Sequence, residues 1–171
     1  ARAVLSAVGA VDGASGQVTR RGTRLARLGL HPRLGRALLD AAPVVGARRA
    51  AEAVALLSEE PPREYGDDLG GALRTARRGG DAYSGRWRTE VRRLSGLVAS
   101  SAPAEPEPVQ APGDDDVAGL VAALAFPERI ARKSGGSYLM VSGTRADIGD
   151  GSALRHADWV AVAVADRPVG A

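Results

Sequence analysis

The chain of 171 residues contains no cysteine. That single absence removes disulfides, thiolate zinc sites and cysteine nucleophiles together. Histidine is nearly absent as well, with only His31 and His156, so a metal site would have to lean on carboxylates. Aromatic residues make up 4% of the chain, which leaves Ala, Val and Leu to build the core. No apolar run approaches the ~20 residues that span a bilayer, and no basic-then-apolar signal segment opens the chain. Those absences point to a cytoplasmic protein with no membrane partner. Lysine is reduced to Lys133, so all other basic side chains are arginines. With so much Ala and Gly, this bias reflects a GC-rich genome as much as a function.

The missing motifs are equally informative. There is no G-x-x-x-x-G-K-S/T loop, no G-x-G-x-x-G opening a helix after a strand, and no H-E-x-x-H. The stretch "GTRADIGDGS", residues 143–152, lacks the acidic spacing and terminal glutamate of a calcium loop and reads as a turn between strands. His31 with Asp40, or His156 with Asp158, supplies a base and a carboxylate, but neither has a nucleophile at a fixed offset. Both histidines therefore read as structural, His31 at a helix start and His156 in the turn before the last strand. No catalytic residue and no metal or cofactor ligand is assigned.

What is present is positive charge, unevenly placed. Residues 1–101 carry 17 basic and 10 acidic side chains, residues 102–116 carry five acids and no base, and the rest is close to neutral. The first hundred residues are thus a candidate polyanion-binding surface. The acidic stretch "SSAPAEPEPVQAPGDDD", residues 100–116, has no apolar cluster to pack and reads as an exposed linker over 102–116.

Periodicity makes the chain mainly α. A helix through Val4, Leu5 and Val8 runs into Gly9, "AVDGASGQVT" reads as a hairpin with its Gly-rich turn between Val11 and Val18, and a second helix follows from about Thr19. Residues 1–28 have the order expected of the tail of a winged-helix unit. Residues 29–101 read as a small bundle of four helices. Pro32 opens the first and Pro43 ends it. In the second, Ala47, Ala50, Ala51, Val54 and Leu57 share one face, and Pro61-Pro62 stops it. Asp67 or Asp68 caps the third, and Ser84 opens the fourth, with Trp87, Val91, Leu94 and Val98 inward. Residues 117–171 read as a helix followed by a short β unit with strands at "SYLMVS" and "WVAVAVA", and Trp159 reads as core.

Three blocks of sequence carry a resemblance. "LSAVGAVDGASGQVTRRGTRLARLGLHPRLGRALL" is similar to the segment that follows the motor domains in DEAH-type RNA helicases. There a helix ends in a Leu-Gly-Ala-Leu-Asp-like run, followed by a Gly-x-Leu-Thr wing and a Leu-x-Pro-Arg-Leu helix. "ALLSEEPPRE" and "AFPERIARKSGGSYLMVSGTRADI…ADWVAVAVADR" resemble the bacterial branch of that family called HrpB. Gly22-Thr23 departs from the family's Gly-Arg after the wing, with Arg24 one place later.

The resemblance implies a C-terminal accessory region: winged-helix tail, ratchet-like bundle and the start of an OB-like module. The ATP site, with its ATP and magnesium, would lie in motor domains preceding Ala1, so this fragment would not itself be catalytic. Implied partners are single-stranded nucleic acid, in particular RNA, and the motor domains of the same polypeptide. The candidate nucleic-acid contacts are Arg129, Arg132 and Lys133, where the helix hands over to the first strand, and Arg33 and Arg36, expected to face outward. A helical adaptor that binds a protein partner is the alternative reading. A carboxylate-metal hydrolase built on Asp114–Asp116 is disfavoured because those acids fall in the linker.

Overall fold

A computed structural model describes residues 2–99 and 112–164. Helix α1 (Arg2–Ala7) leads to Gly9, whose φ of +72° reverses the chain. The expected hairpin is present in its shortest form, one antiparallel bridge between Val11 and Val18. Asp12 holds its turn: Oδ1 accepts from Ser15 N–H at 2.6 Å and from Ser15 Oγ at 2.7 Å. Helix α2 (Arg20–Leu28) starts at Thr19, whose Oγ1 accepts from Gly22 N–H at 2.9 Å and donates back to Gly9 O at 2.6 Å. Gly22 lets α2 lie directly on the hairpin base, since a Cβ there would fall 2.0 Å from Ala10 O.

Helix α3 (Pro32–Val45) begins with proline at its first position, where a missing N–H is harmless. His31 Nδ1 caps it by accepting from Arg33 N–H at 3.3 Å. The helix does not end at Pro43; it continues to Val45 and stops at Gly46. Pro43 falls in the last turn, so it forfeits only one hydrogen bond to a carbonyl one turn back. Helix α4 (Ala47–Ser58) is buried on most of its circumference, from Ala50 to Leu56, because α3, α5, α6 and α7 all pack on it. A one-stripe reading catches Ala50, Ala51 and Val54 but takes Leu57 for the anchor. Leu56 is the fully buried one, and Leu57 is half-buried.

Asp68 caps α5 (Leu69–Arg78), accepting from Gly70 and Gly71 N–H at 3.0 Å each. Helix α6 (Ala82–Ala99) opens two residues before Ser84, because Asp81 supplies the cap through Ser84 N–H at 2.7 Å. Its inward stripe is Trp87, Val91, Leu94 and Val98, as the periodicity predicts.

Helix α7 (Asp114–Ala125) changes the expected division of the chain. Residues 102–111 of the expected linker lie outside the described residues. Asp114–Asp116 form the first turn of α7, as their place at a helix start predicts, with carboxylates at the positive end of the helix dipole. Val117 and Val121 are fully buried against α3, α4 and α5. This helix belongs to the bundle core and does not merely head the β unit.

After a 3-10 turn (Pro127–Arg129), strands β1 (Ile130–Ser134), β2 (Ser137–Met140), β3 (Arg145–Ala146) and β4 (Trp159–Ala161) form an antiparallel sheet in the order β3-β2-β1-β4. Its inner face carries Ala131, Tyr138 and Met140, a small second core. Tyr138 Oη lies 2.9 Å from Leu154 O and 2.7 Å from Ala157 O, tying the 3-10 turn Ala153–His156 over that face.

Candidate nucleic-acid interface

A guanidinium already held by a carboxylate is a poor phosphate ligand, because it must exchange one anion for another. The arginines therefore sort by whether the fold engages them. Of the five residues singled out from the sequence, four are engaged. Arg33 is ion-paired to Glu128 and stacks on Phe126, with 5.9 Å from its guanidinium carbon to the ring centre. Burial pushes the Glu128 carboxyl up, but hydrogen bonds from its own backbone and from Arg33, with the Arg33 and Arg129 charges, hold it below the usual range. Arg36 shares Asp40 with Arg21, at 3.4 Å and 2.7 Å respectively. Arg129 donates to Ala163 O at 2.8 Å, and its guanidinium carbon lies 4.8 Å from the centre of the Phe126 ring.

Arg132 and Lys133 are not at a hand-over between helix and strand; they lie within β1 and, as consecutive residues, face opposite ways. Lys133 Nζ donates to Arg155 O at 2.6 Å. Arg132 alone of the five is exposed with a side chain that makes no hydrogen bond or ion pair among the described residues. The structure thus divides the expected cluster: Arg33 ties α3 to the turn after α7, Arg36 is held at Asp40 within α3, Arg129 ties that turn to the chain after β4, and only Arg132 faces solvent unengaged.

The unengaged positive charge is concentrated elsewhere. Arg20, Arg24 and Arg27 stand at i, i+4 and i+7 on α2, all exposed and none paired among the described residues. Opposite them on the same helix, Gly22, Leu25 and Leu28 are buried. The sequence shows this group of arginines plainly. It does not show that they remain unpaired, because Arg21 in the same cluster turns inward to Asp40 and to Val8 O at 2.9 Å.

Neither histidine is arranged for catalysis. His31 is spent on the cap of α3, and its expected partner Asp40 is held by two arginines. His156 closes a 3-10 turn and shows no hydrogen bond to Asp158 among the described residues.

No protein-family profile matches the chain. Its sequence is 31% identical over 162 residues to the ATP-dependent RNA helicase HrpB of Escherichia coli K12, a match covering 94% of this chain. The chain is similar to a segment of HrpB. Its fold agrees: crystal structures of E. coli HrpB, described as a DExH-box NTPase and as a DEAH/RHA helicase, superpose with TM-scores of 0.64 and 0.67. Each is 30% identical and covers 92% of this chain. The chain spans only 18% of the length of HrpB in each comparison.

The chain has no glycine-lysine phosphate loop, and among the described residues no group of three His, Asp or Glu side chains could hold a metal ion. Among the described residues, no helix is long and apolar enough to cross a membrane.

Proposed function

We propose that this chain is an accessory region of an ATP-dependent RNA helicase, with the ATPase motor elsewhere in the polypeptide. Its role is to hold the sugar-phosphate backbone of a single strand without reading sequence. The observation that carries this reading is the α2 stripe, three exposed and unpaired guanidiniums on one helix face. Guanidinium groups suit phosphate oxygens, and a backbone contact needs no base-specific donor pattern. The relation to HrpB supplies the context and favours RNA. Arg33, Arg36, Arg129 and Lys133 contribute by fixing the frame on which the free arginines sit.

The test is a titration of a fluorescent oligouridylate at 50 and 200 mM salt. Three phosphate contacts predict a slope of about −2 in log affinity against log salt, hence a loss of roughly tenfold to twentyfold. Salt-independent binding would sink the proposal, and so would ATP turnover by this chain alone. A stable complex with a specific protein, with no polyanion affinity, would establish the adaptor reading instead.

A further inference from the structure

The outer face of the sheet carries an unusual row. Arg145 pairs in register with Leu139, Leu139 with Arg132, and Arg132 with Trp159. Directly paired residues share a face, so these four side chains cross all four strands in a line on one side. All are exposed, Leu139 to 40% and Trp159 to 61%. The inner face, by contrast, is closed by Tyr138, Met140 and the turn above them.

An indole usually buries its ring and satisfies its N–H. Trp159, read from the sequence as a core residue, does neither. Among the described residues no ring or guanidinium stacks on it and its Nε1–H has no acceptor. Arg132, its neighbour in the row, is equally unengaged. Arg145 is fixed at the far end, with Nη1 2.8 Å from Ser137 Oγ and 3.2 Å from Ser134 O, and remains exposed.

Adjacent strands lie about 4.8 Å apart, so Trp159 and Leu139 are separated by roughly 10 Å with a guanidinium midway. Two apolar seats with a cation between them match two bases and the phosphate that joins them. A purely apolar protein ligand would leave Arg132 and Arg145 desolvated and unpaired, at a cost.

We propose that the row Arg145–Leu139–Arg132–Trp159 is a stacking platform for single-stranded nucleic acid, with one base on the Trp159 indole and the adjoining phosphate on Arg132. It presupposes the single-strand reading above and adds a second, base-contacting site to the backbone-holding stripe on α2.

Trp159 is its own reporter. Trp87 is 4% exposed in the bundle, so the tryptophan emission that differs between wild type and Trp159→Phe belongs to Trp159. Oligouridylate should quench that difference emission in the full chain. Trp159→Ala should bind about tenfold or more weakly, since one base stacked on an aromatic side chain is worth roughly that much. Trp159→Phe should retain most of the affinity, and the circular dichroism of both variants should match wild type. Arg132→Gln, which cannot misfold a core it does not touch, should also bind more weakly and with a shallower salt dependence. Should Trp159→Ala and Arg132→Gln bind like wild type while salt still weakens binding, the platform is wrong and the α2 reading survives. Should the wild-type chain bind no strand at all, both fall together. Quenching without any loss of affinity in Trp159→Ala would also overturn it, since the base would then be near the indole without resting on it.

Discussion

Arg77 ties three helices together through one guanidinium. Its Nη1 lies 2.7 and 2.8 Å from the two carboxylate oxygens of Asp114 on α7, and its Nε lies 3.0 Å from Glu52 Oε2 on α4. Arg49, also on α4, reaches the same Asp114 at 2.8 Å. Apolar packing sets α7 against the bundle, and this cluster ties the first turn of α7 to α4 and α5. Glu52 is 4% exposed and the Asp114 side chain 14%, so the carboxylates are largely buried while the Arg77 guanidinium, 34% exposed, reaches them from the surface; buried carboxylates are costly unless their cations are present.

Replacing Arg77 by methionine should therefore destabilise the fold by about 3 kcal/mol, because Glu52 and Asp114 would lose their main partner without leaving the interior. Arg48 meets the same Glu52 at 3.4 Å from a side chain that is 83% exposed, and Arg48→Ala should cost ~0.5 kcal/mol or less. Urea denaturation of the two variants checks the contrast. Equal effects would mean the cluster is not what holds α7.

Gly22 and Gly85 offer an opposed pair. A Cβ at Gly22 would sit 2.0 Å from Ala10 O, a backbone atom that cannot move aside without shifting α2. Gly22→Ala should cost about 1–3 kcal/mol and loosen the attachment of α2 to the hairpin. A Cβ at Gly85, inside α6, meets nothing within 4 Å. Gly85→Ala should raise stability by roughly 0.5–1 kcal/mol, as expected at an unstrained helical glycine. Thermal unfolding of both variants is the measurement.

Stability should also fall on the alkaline side. Burial first, and then the hydrogen bond and charge of Asp81, raise the Tyr65 phenol from its ordinary 10.0 to about 12. The folded chain thus keeps a proton that the unfolded chain releases near pH 10. Its contribution is complete below pH 10 and is lost as pH rises towards about 12. Tyr65 Oη donates to Asp81 Oδ2 at 2.7 Å, and that bond leads the causes that hold Asp81 below its ordinary value. Its contribution runs the other way, present above the unfolded value of about 4 and lost as pH falls through the folded one. Tyr65→Phe should flatten both limbs of the midpoint-against-pH curve. An unchanged alkaline limb would show that Tyr65 is not the titrating group; Tyr83, also raised chiefly by burial, would then be the next candidate.

Charge reversal separates free arginines from engaged ones. Arg24→Glu on the α2 stripe should weaken oligouridylate binding several-fold with little effect on folding, because it replaces an unpaired cation at the surface. Arg36→Glu should do the reverse, setting a second carboxylate beside Asp40 and lowering stability while changing binding less. Parallel binding and melting curves test this. If Arg36→Glu weakens binding more than Arg24→Glu at full folding, the sorting by engagement is wrong.

Local features were legible in the sequence wherever the physics is local. Pro32, Asp68, Thr19 and the glycines at helix ends mark their boundaries through backbone geometry and side-chain caps, which neighbours in sequence supply. The stripe of α6 and the short hairpin follow from spacing in the same way. So did the relation to HrpB, carried by three blocks in order. What depends on distant partners was not legible. Helix α4 has no single stripe because it is surrounded, and α7 joins the bundle through Arg49 and Arg77, 65 and 37 positions away. Whether an arginine is free to meet a phosphate depends on which carboxylate the fold brings beside it. Arg33 finds Glu128 across 95 positions, while Arg24 and Arg132 find none among the described residues. Trp159 shows the same limit: alternation places it correctly in a strand, but only the sheet's packing on its other face decides that its ring is left in solvent. The sequence alone determined the charge, the caps and the likeness to a segment of HrpB; tertiary contact decided which charges remain available, because pairing and burial are properties of neighbours in space.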